Sequence, residues 1–145
     1  MATVLITGSN RGIGLATAKK FLSEGWTVIG ASRSGKTDIS DSNFHDLKLE
    51  ITSDSDIKDA VEFVKEKLGQ IDVLVNNAGI APEPWDETVV IDLVRKSIEN
   101  NLVSVINFTE QLLPYIKVGG KILNISSMMA SLTDINSNSD VDSLG

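Results

Sequence analysis

The residues best suited to chemistry form a glycine-rich stretch near the amino terminus, Thr7-Gly8-Ser9-Asn10-Arg11-Gly12-Ile13-Gly14. It follows the apolar run Val4-Leu5-Ile6 and opens a helical pattern. A strand that ends in a glycine-rich turn and leads into a helix presents free main-chain N–H groups and the positive helix end to a phosphate. Gly8 permits the tight turn, Gly12 the close approach of main chain to diphosphate, and Gly14 the packing of helix on strand. The stretch therefore predicts a loop that binds the diphosphate of a dinucleotide.

Composition limits the function classes open to this chain. Its 145 residues, 41% of them hydrophobic, suffice for one domain with a core. The net charge of −7 argues against a nucleic-acid binder. The absence of cysteine excludes disulfides and thiolate metal sites, and with a single histidine we predict no metal centre. No apolar run approaches a membrane span and no signal peptide leads the chain, so we expect a cytoplasmic protein without a membrane partner.

Hydrophobic patterning predicts the elements that must position the glycine loop. Strands are predicted at 4–6, 26–30, 46–51, 71–76 and 121–126. Helices are predicted at 15–24, at 54–68 with Asp54 as its cap, and at 91–116, with Gly119-Gly120 closing that region. Alternating strands and helices are typical of a parallel sheet wound by right-handed crossovers. The polar stretch 133–145 has too little apolar surface to offset its ordering, and we expect it to be a mobile tail.

A second motif, Asn76-Asn77-Ala78-Gly79, ends the fourth predicted strand. Together with the spacing T-G-x-x-x-G-I-G of the first loop, it resembles the short-chain dehydrogenase/reductase family over roughly residues 3–132. The resemblance implies an α/β fold, a Rossmann-type doubly wound parallel sheet with five strands in order 3-2-1-4-5. It also implies that the family's C-terminal strands and helices are lacking. Residues 1–132 are then an incomplete NADP-binding domain.

The choice of cofactor depends on the end of the second strand, where an acidic residue would bind the ribose 2′-hydroxyl in an NAD enzyme. Ser32 stands near that position, followed by Arg33, and Arg11 lies in the glycine loop. Within the family, a basic residue at either place is found in NADP-preferring members. Two guanidiniums can bind a phosphate dianion, with Lys36 as a third charge. We therefore predict NADP over NAD; the alternative is that these arginines are merely solvated surface residues.

The resemblance implies further cofactor contacts beyond the glycines and basic residues. Glu50 stands where the family often has an aspartate near the adenine. Asn76 and Asn77 have two equally supported roles, in bordering the cofactor or in bracing the sheet. The remaining implied contacts are Ser9, Asn10, Ile13, Ala78 and Gly79.

The resemblance also implies two catalytic residues. Ser127 matches the serine that hydrogen-bonds the substrate carbonyl. Asn101 matches an asparagine that supports a water relay, with its neighbour Asn100 as the alternative. A serine hydrolase is the wrong interpretation of Ser127, because no G-x-S-x-G elbow surrounds it and His45 is the only histidine.

The family's proton donor, a tyrosine followed four residues later by a lysine, has no match in this chain. The only tyrosine, Tyr115, precedes the serine, and no lysine follows Lys121. We therefore expect the cofactor-binding half of an NADP-dependent oxidoreductase, which would transfer hydride between nicotinamide and a carbonyl or alcohol, but which is inactive as this chain alone. The segment from Ser126 onward resembles C-factor-like carbonyl reductases. The alternative is a non-catalytic NADP-binding or interaction module, and the substrate is not predicted.

Two further predictions concern other parts of the chain. Gly30-Ala31-Ser32-Arg33-Ser34-Gly35-Lys36-Thr37 matches the phosphate loop of nucleoside triphosphatases. That loop needs a helix starting at its lysine, and residues 38–43 have no helical apolar stripe, so this is a remote alternative. The apolar stripe of 91–116 would lie open without the family's C-terminal half, and we expect a homo-oligomer formed through this helix.

Overall fold

The computed structural model describes residues 1–82 and 89–127, and all structural statements refer to these. The predicted tail 133–145 lies outside them, as does Pro84 in the loop after the fourth strand. The strands are β1 Thr3–Thr7, β2 Thr27–Ser32, β3 Phe44–Lys48, β4 Ile71–Asn76 and β5 Ile116–Asn124. The helices are α1 Gly12–Ser23, α2 Asp54–Phe63, α3 Ile91–Ile98 and α4 Ser104–Leu112.

The five strands form one parallel sheet in the order β3-β2-β1-β4-β5, which confirms the predicted order. The chain leaves β1 toward β2 and β3, and then returns to the other side of β1 to form β4 and β5. The order of the strands therefore reverses beside β1. A crevice outside the carboxyl ends of β1 and β4 is the place where such sheets bind ligands.

Helices cover both faces of the sheet. On one face, α2 and α4 contribute Ile57, Ala60, Phe108 and Leu112 to a buried cluster with residues of the strands. On the other face, Ala18 of α1 joins a second buried cluster. All five residues of β1 are buried, as expected of a central parallel strand covered from both sides.

Three local predictions were wrong. β3 begins at Phe44, two residues early, because the ring of Phe44 is buried against the α1 face of the sheet. The cap of α2 is Ser53 and not Asp54, since the Ser53 side chain accepts the N–H of Asp56 at 3.3 Å. Gly119-Gly120 does not end the region but lies inside β5, where the strand bulges opposite Asp72.

The predicted long helix is continuous from Ile91 but is not uniformly α-helical. A π-helical turn, Glu99–Val103, joins α3 to α4, and the 3₁₀ turn Leu113–Tyr115 leads into β5. π-helical turns inside α-helices are frequent at functional sites. This one carries both asparagines proposed above for the water relay.

Within residues 1–82 and 89–127, the helices are all too short or too polar to span a membrane. The cytoplasmic location stays a prediction.

Candidate functional site

The glycine loop joins β1 to α1 at the carboxyl edge of the sheet, and two of its glycines are sterically required. Gly8 has a φ of +68°, and a Cβ there would lie 3.0 Å from the Cα of Ala78. A Cβ on Gly14 would overlap the carbonyl oxygen of Gly8. The turn off β1 and the first turn of α1 are therefore packed too closely for side chains at these two positions.

Gly12, by contrast, faces open space. Its φ is +54°, and no atom lies within 4 Å of a Cβ built on it. Arg11, the N-cap of α1, makes no side-chain capping hydrogen bond, and the first turn holds no acidic residue. The first N–H groups of α1 therefore keep their capacity to bind an anion.

Ser9, which was predicted to contact the cofactor, is bonded to the end of β2. It is fully buried, and both its N–H and its hydroxyl donate to the carbonyl oxygen of Ala31, at 3.2 and 3.4 Å. Ser9 thus fixes the loop to the end of β2 and is not among the residues that line the cavity described below.

The two sequence motifs are joined by hydrogen bonds. The Asn77 side-chain amide donates to the carbonyl oxygens of Thr7 and Gly8, at 2.9 and 3.1 Å. The Thr7 hydroxyl accepts the N–H groups of Asn77 and Ala78, at 3.0 and 2.9 Å. Asn77 therefore braces the glycine loop. Thr7, which opens the glycine-rich stretch but was given no role of its own, is a further site residue.

A cavity of about 400 Å³ opens over this loop at the carboxyl edge of the sheet. Many of its lining residues were predicted: Gly8, Asn10, Arg11, Gly12, Ile13, Ser32, Arg33, Glu50, Ala78 and Gly79. Thr7, Ala31, Leu49, Ile51 and Ile80 were not, and the aliphatic ones among them give the wall an apolar part. Asn77, for which bordering the cofactor and bracing the sheet were both left open, and Asn100, the alternative for the relay, also line it. Gly14 and Lys36, both predicted, do not line it.

The charges on the cavity wall are unequal. Arg11 and Arg33 are exposed, and neither forms an ion pair with another described residue. Ser32 at the end of β2 is buried, with its hydroxyl 3.3 Å from that of Ser34. The carboxylate of Glu50 accepts the hydroxyl of Thr52 at 3.1 Å. The cavity wall therefore carries two guanidinium groups without an ion-pair partner among the described residues, and one carboxylate that is hydrogen-bonded to Thr52.

The main chain of Glu50 is held by the carboxylate of Asp56, in the first turn of α2. The N–H of Glu50 donates to the Asp56 carboxylate at 3.0 Å, and this bond, with the nearby Lys48 ammonium, lowers the pKa of Asp56. The loop after β3 is thereby tied to the start of α2, which fixes the wall carrying Leu49 and Ile51.

The triphosphatase alternative lacks the structure it needs. No helix follows Gly30–Thr37, since residues 33–43 form turns and irregular chain before β3. The hydroxyl of Ser34 instead accepts the N–H of Lys36 at 3.3 Å, within a local turn. Without helical N–H groups at its lysine, this segment does not form a phosphate loop.

A second, larger cavity of about 1020 Å³ lies on the other side of Ala78-Gly79. Ser127 and Asn101, the two predicted catalytic residues, both line it, and Asn76, Thr109 and Ser126 are further polar members. The structure thus brings together residues from the loop after β4, the long helix and the end of β5.

Asn101 holds the wall between the two cavities. Its side-chain oxygen accepts the N–H of Ile80 at 2.8 Å, and its side-chain nitrogen donates to the Ile80 carbonyl oxygen at 2.7 Å. Asn100 instead lines the first cavity, and its side chain donates to the carbonyl oxygen of Lys96. Of the two candidates for the relay, Asn101 is therefore the one that lines the same cavity as Ser127.

Asn76 is buried, and its side-chain nitrogen braces the sheet. It donates to the Thr109 hydroxyl at 3.0 Å and to the Asn124 side-chain oxygen at 2.8 Å. These bonds link β4 to α4 and to the last residue of β5, three residues before Ser127.

This geometry fits an elongated ligand with phosphate groups. The open space at Gly12 and the uncapped start of α1 suit a diphosphate, and the two arginines suit a further phosphate. The described residues contain no group of three histidine or acidic side chains that could hold a metal ion.

Comparison with known proteins places this arrangement among related enzymes. Residues 2–138 match the family model described as short chain dehydrogenase. Serine 3-dehydrogenase of Agrobacterium fabrum is 34% identical over 137 residues, covering 88% of this chain and 54% of that protein. The 3-oxoacyl-(acyl-carrier-protein) reductase FabG of Thermotoga maritima is 36% identical over 150 residues, covering 86% of this chain and 55% of the reductase. The chain thus spans about half the length of the curated relatives it matches.

Solved structures give the same result. The aldohexose dehydrogenase of Thermoplasma acidophilum superposes with a TM-score of 0.78 at 31% identity, over 90% of this chain and 51% of that one. Sniffer of Caenorhabditis elegans, a proposed carbonyl reductase, superposes with a TM-score of 0.85 at 28% identity, over 94% of this chain and 68% of that one.

Proposed function

This chain belongs to the short-chain dehydrogenase family, and on that premise we propose that its first cavity binds NADP as part of an oxidoreductase acting on carbonyl or alcohol substrates. The observation that carries the proposal is the pair of unpaired arginines beside an open glycine loop. Curated relatives named as dehydrogenases and reductases support the reaction class.

The diphosphate would be held by main chain more than by side chains. Gly12 and Ile13 start α1 and present their N–H groups to the cavity, where no side chain of the loop fills the space at Gly12. Gly8 and Gly14 support this by close packing, and Ser9 by its bonds to β2. The ligand therefore meets a loop already fixed in shape.

The preference for NADP over NAD would come from Arg11 and Arg33. A 2′-phosphate is a dianion that two guanidiniums can bind with charge-assisted hydrogen bonds. Ser32 puts a neutral hydroxyl where a carboxylate would repel that phosphate. Lys36, outside the cavity wall, would add only longer-range attraction.

The nicotinamide end would extend toward the second cavity, past Ala78 and Gly79. When bound, the cofactor supplies or accepts the hydride. Ser127 would donate a hydrogen bond to the substrate carbonyl oxygen, and Asn101 would keep the wall between the cavities in place through Ile80.

We expect negligible turnover from these 145 residues alone. The sequence contains no tyrosine after Tyr115 and no lysine after Lys121, so no tyrosine–lysine pair follows Ser127. General acid catalysis commonly contributes a factor of about 10² to 10⁴. Carbonyl reduction by the purified chain at rates ordinary for enzymes would refute this expectation.

The binding proposal is tested by calorimetry with NADPH and NADH on protein shown to be folded by circular dichroism. We expect NADPH to bind about tenfold to a hundredfold tighter, since charge-assisted hydrogen bonds contribute roughly 1.5–3 kcal/mol. The double variant R11A/R33A should lose this preference while NADH binding is kept. R95A is the matched control, because Arg95 is an exposed arginine on α3 that lines neither cavity. Folded protein that binds neither dinucleotide would overturn the proposal.

We also propose self-association through the apolar stripe of 91–116. Ile98, Leu102, Val103 and Ile106 on this segment are each about half exposed. Burying such side chains against a second copy would remove their apolar area from water.

A further inference from the structure

Asn100 and Asn101 are neighbours in the π-helical turn, but their side chains are used differently. Both polar atoms of the Asn101 side chain are bonded to Ile80. The side-chain nitrogen of Asn100 donates to the carbonyl oxygen of Lys96 at 3.0 Å, whereas no described residue donates to its side-chain oxygen. Because the bond to Lys96 fixes the nitrogen end of the amide, the oxygen end is left for a ligand of the first cavity, which Asn100 lines.

The long helix brings Asn100 to the part of this cavity that is formed after β3. About two turns beyond Asn100, the side chain of Asn107 donates to the carboxylate of Asp54, the first residue of α2, at 3.3 Å. Leu49 and Ile51 precede α2, and both line the same cavity as Asn100. These two side chains are buried and aliphatic. Asn100 therefore shares an apolar part of the cavity, which suits a flat base.

The same part of the cavity adjoins the residues proposed to bind the 2′-phosphate. The N–H of Leu49 donates to the carbonyl oxygen of Ser32 at 2.8 Å, and Arg33 follows Ser32 in the chain. In NADP the 2′-phosphate is carried by the ribose that bears the adenine. The base that reaches Leu49 is therefore the adenine and not the nicotinamide, a step that rests on the proposed function.

We propose that the side-chain oxygen of Asn100 accepts a hydrogen bond from the 6-amino group of the adenine and so selects this base. An adenine joined to ribose has a single donor group, its exocyclic amine, and its ring nitrogens are acceptors. An acceptor on the cavity wall can therefore meet the edge of the base only at the amine. The proposal deepens the proposed function, in which Asn100 has no contact with the cofactor.

Glu50 is the other side-chain acceptor on this part of the wall. Its Oε1 accepts the N–H of Thr52 at 3.4 Å and the Thr52 hydroxyl at 3.1 Å, which hold the carboxylate to its own loop. The side-chain oxygen of Asn100 has no such bond to a described residue, and it belongs to a neutral group whose burial beside a base costs less than that of a carboxylate. The amide is therefore the better partner for the adenine amine.

The analogue of NADPH in which hypoxanthine replaces adenine tests this contact, because it carries an oxygen in place of the 6-amine. Two acceptors would then face each other, and the amide cannot turn round without breaking its bond to Lys96. We expect calorimetry on the wild-type protein to show that NADPH binds about tenfold tighter than the analogue. Asn100→Leu, which keeps the size of the side chain but has no acceptor, should bring this ratio close to one. Asn100→Asp, which keeps an acceptor oxygen, should retain it.

Gln111→Leu is the matched control, because it replaces an exposed amide on α4 that lines neither cavity, and it should leave the ratio unchanged. Equal affinity of the wild-type protein for the two cofactors would overturn the proposal, whether or not any variant folds. So would an Asn100→Leu protein that keeps the preference, or that binds both cofactors more weakly by the same factor, since the contact would then be to a ribose. Loss of the preference in Glu50→Gln but not in Asn100→Leu would assign the base to Glu50. Folded wild-type protein that binds no NADPH would refute the proposed function itself.

Discussion

The substitution Gly12→Ala separates the folding role of the glycine loop from its binding role. A methyl group at Gly12 meets no atom within 4 Å, so the folded chain has room for it. The cost in stability comes from the φ of +54° alone. A left-handed conformation costs an L-residue about 1–2 kcal/mol. Alanine also has less conformational entropy than glycine in the unfolded chain, and this offsets about 0.4–1 kcal/mol of that cost. We expect a loss of about 1 kcal/mol, which for a chain of this size lowers the Tm by roughly 3 °C.

Gly25→Ala is the matched control. Gly25 also has a positive φ, +80°, and open space around a Cβ, but it lies beyond the carboxyl end of α1, away from both cavities. The two variants should therefore have similar unfolding free energies in urea. Only Gly12→Ala puts a methyl group where a diphosphate would approach the main chain, and we expect NADPH binding to weaken about a hundredfold or more, close to 3 kcal/mol.

Urea denaturation measures the unfolding free energy of the two variants, and calorimetry measures their affinity for NADPH. Equal NADPH affinity in Gly12→Ala and wild type would refute the assignment of the loop as the diphosphate site. An equal loss of affinity in both variants would mean that binding follows global stability and not the space at Gly12.

The other predictions concern the core, an ion pair and the cavity wall. Phe108→Ala should cost about 3–5 kcal/mol in denaturant unfolding because its side chain is fully buried. Val89→Ala, at a residue that is 72% exposed and lies outside the helix stripe, should stay within about 0.5 kcal/mol, and similar costs would contradict the packing. The Lys117 ammonium and the N–H of Thr3 lower the pKa of the Asp72 carboxyl. The ionised Asp72 therefore stabilises the fold fully above the usual pKa of about 3.9, and this contribution is lost as the pH falls through the lower pKa of the folded state. Asp72→Asn should therefore be less stable than wild type at neutral pH, and a deficit that grows with acid would contradict this. Asn101→Ala should speed hydrogen exchange at the amide of Ile80, which the Asn101 side chain accepts. An equal effect of Asn100→Ala would contradict the role of Asn101 in holding the cavity wall.

Much of the fold could be predicted because its signals are local. Continuous apolar runs located β1 and β4, and helical periodicity located α2 and the long helix. The errors arose where tertiary packing decided the boundary. β3 starts at Phe44 because of a buried ring, and β5 starts before Gly119 because Lys117 pairs with a carboxylate on β4, at 2.8 Å. No pattern within either segment contains that information.

The site was predicted less completely, because motifs name residues but not their hydrogen-bond partners. The glycine loop was found by its spacing and the arginines by the family resemblance, and Gly8, Gly12 and both arginines line the cavity. Ser9 lies in the same motif, yet its hydroxyl is used on β2. Thr7 was given no role because a threonine at the end of a strand is ordinary, and only the fold brings it against Asn77, 70 residues away. The signal available in the sequence was the place of Thr7, as the last residue of β1 directly before the first glycine of the loop.

The two cavities share one wall, and its fixation explains how a single ligand would be aligned across both. Ala78 is held from the β1 side, where its N–H donates to the Thr7 hydroxyl at 2.9 Å. Ile80 is held from the helix side by both polar atoms of the Asn101 side chain. Gly79 lies between them, and a Cβ built on it would lie 3.4 Å from the Asn101 side-chain oxygen, so a side chain at this position would crowd Asn101. Because the bonds on the two sides come from elements far apart in the chain, the wall depends on both the sheet and the long helix, and a ligand bound across it would stabilise the fold as a whole.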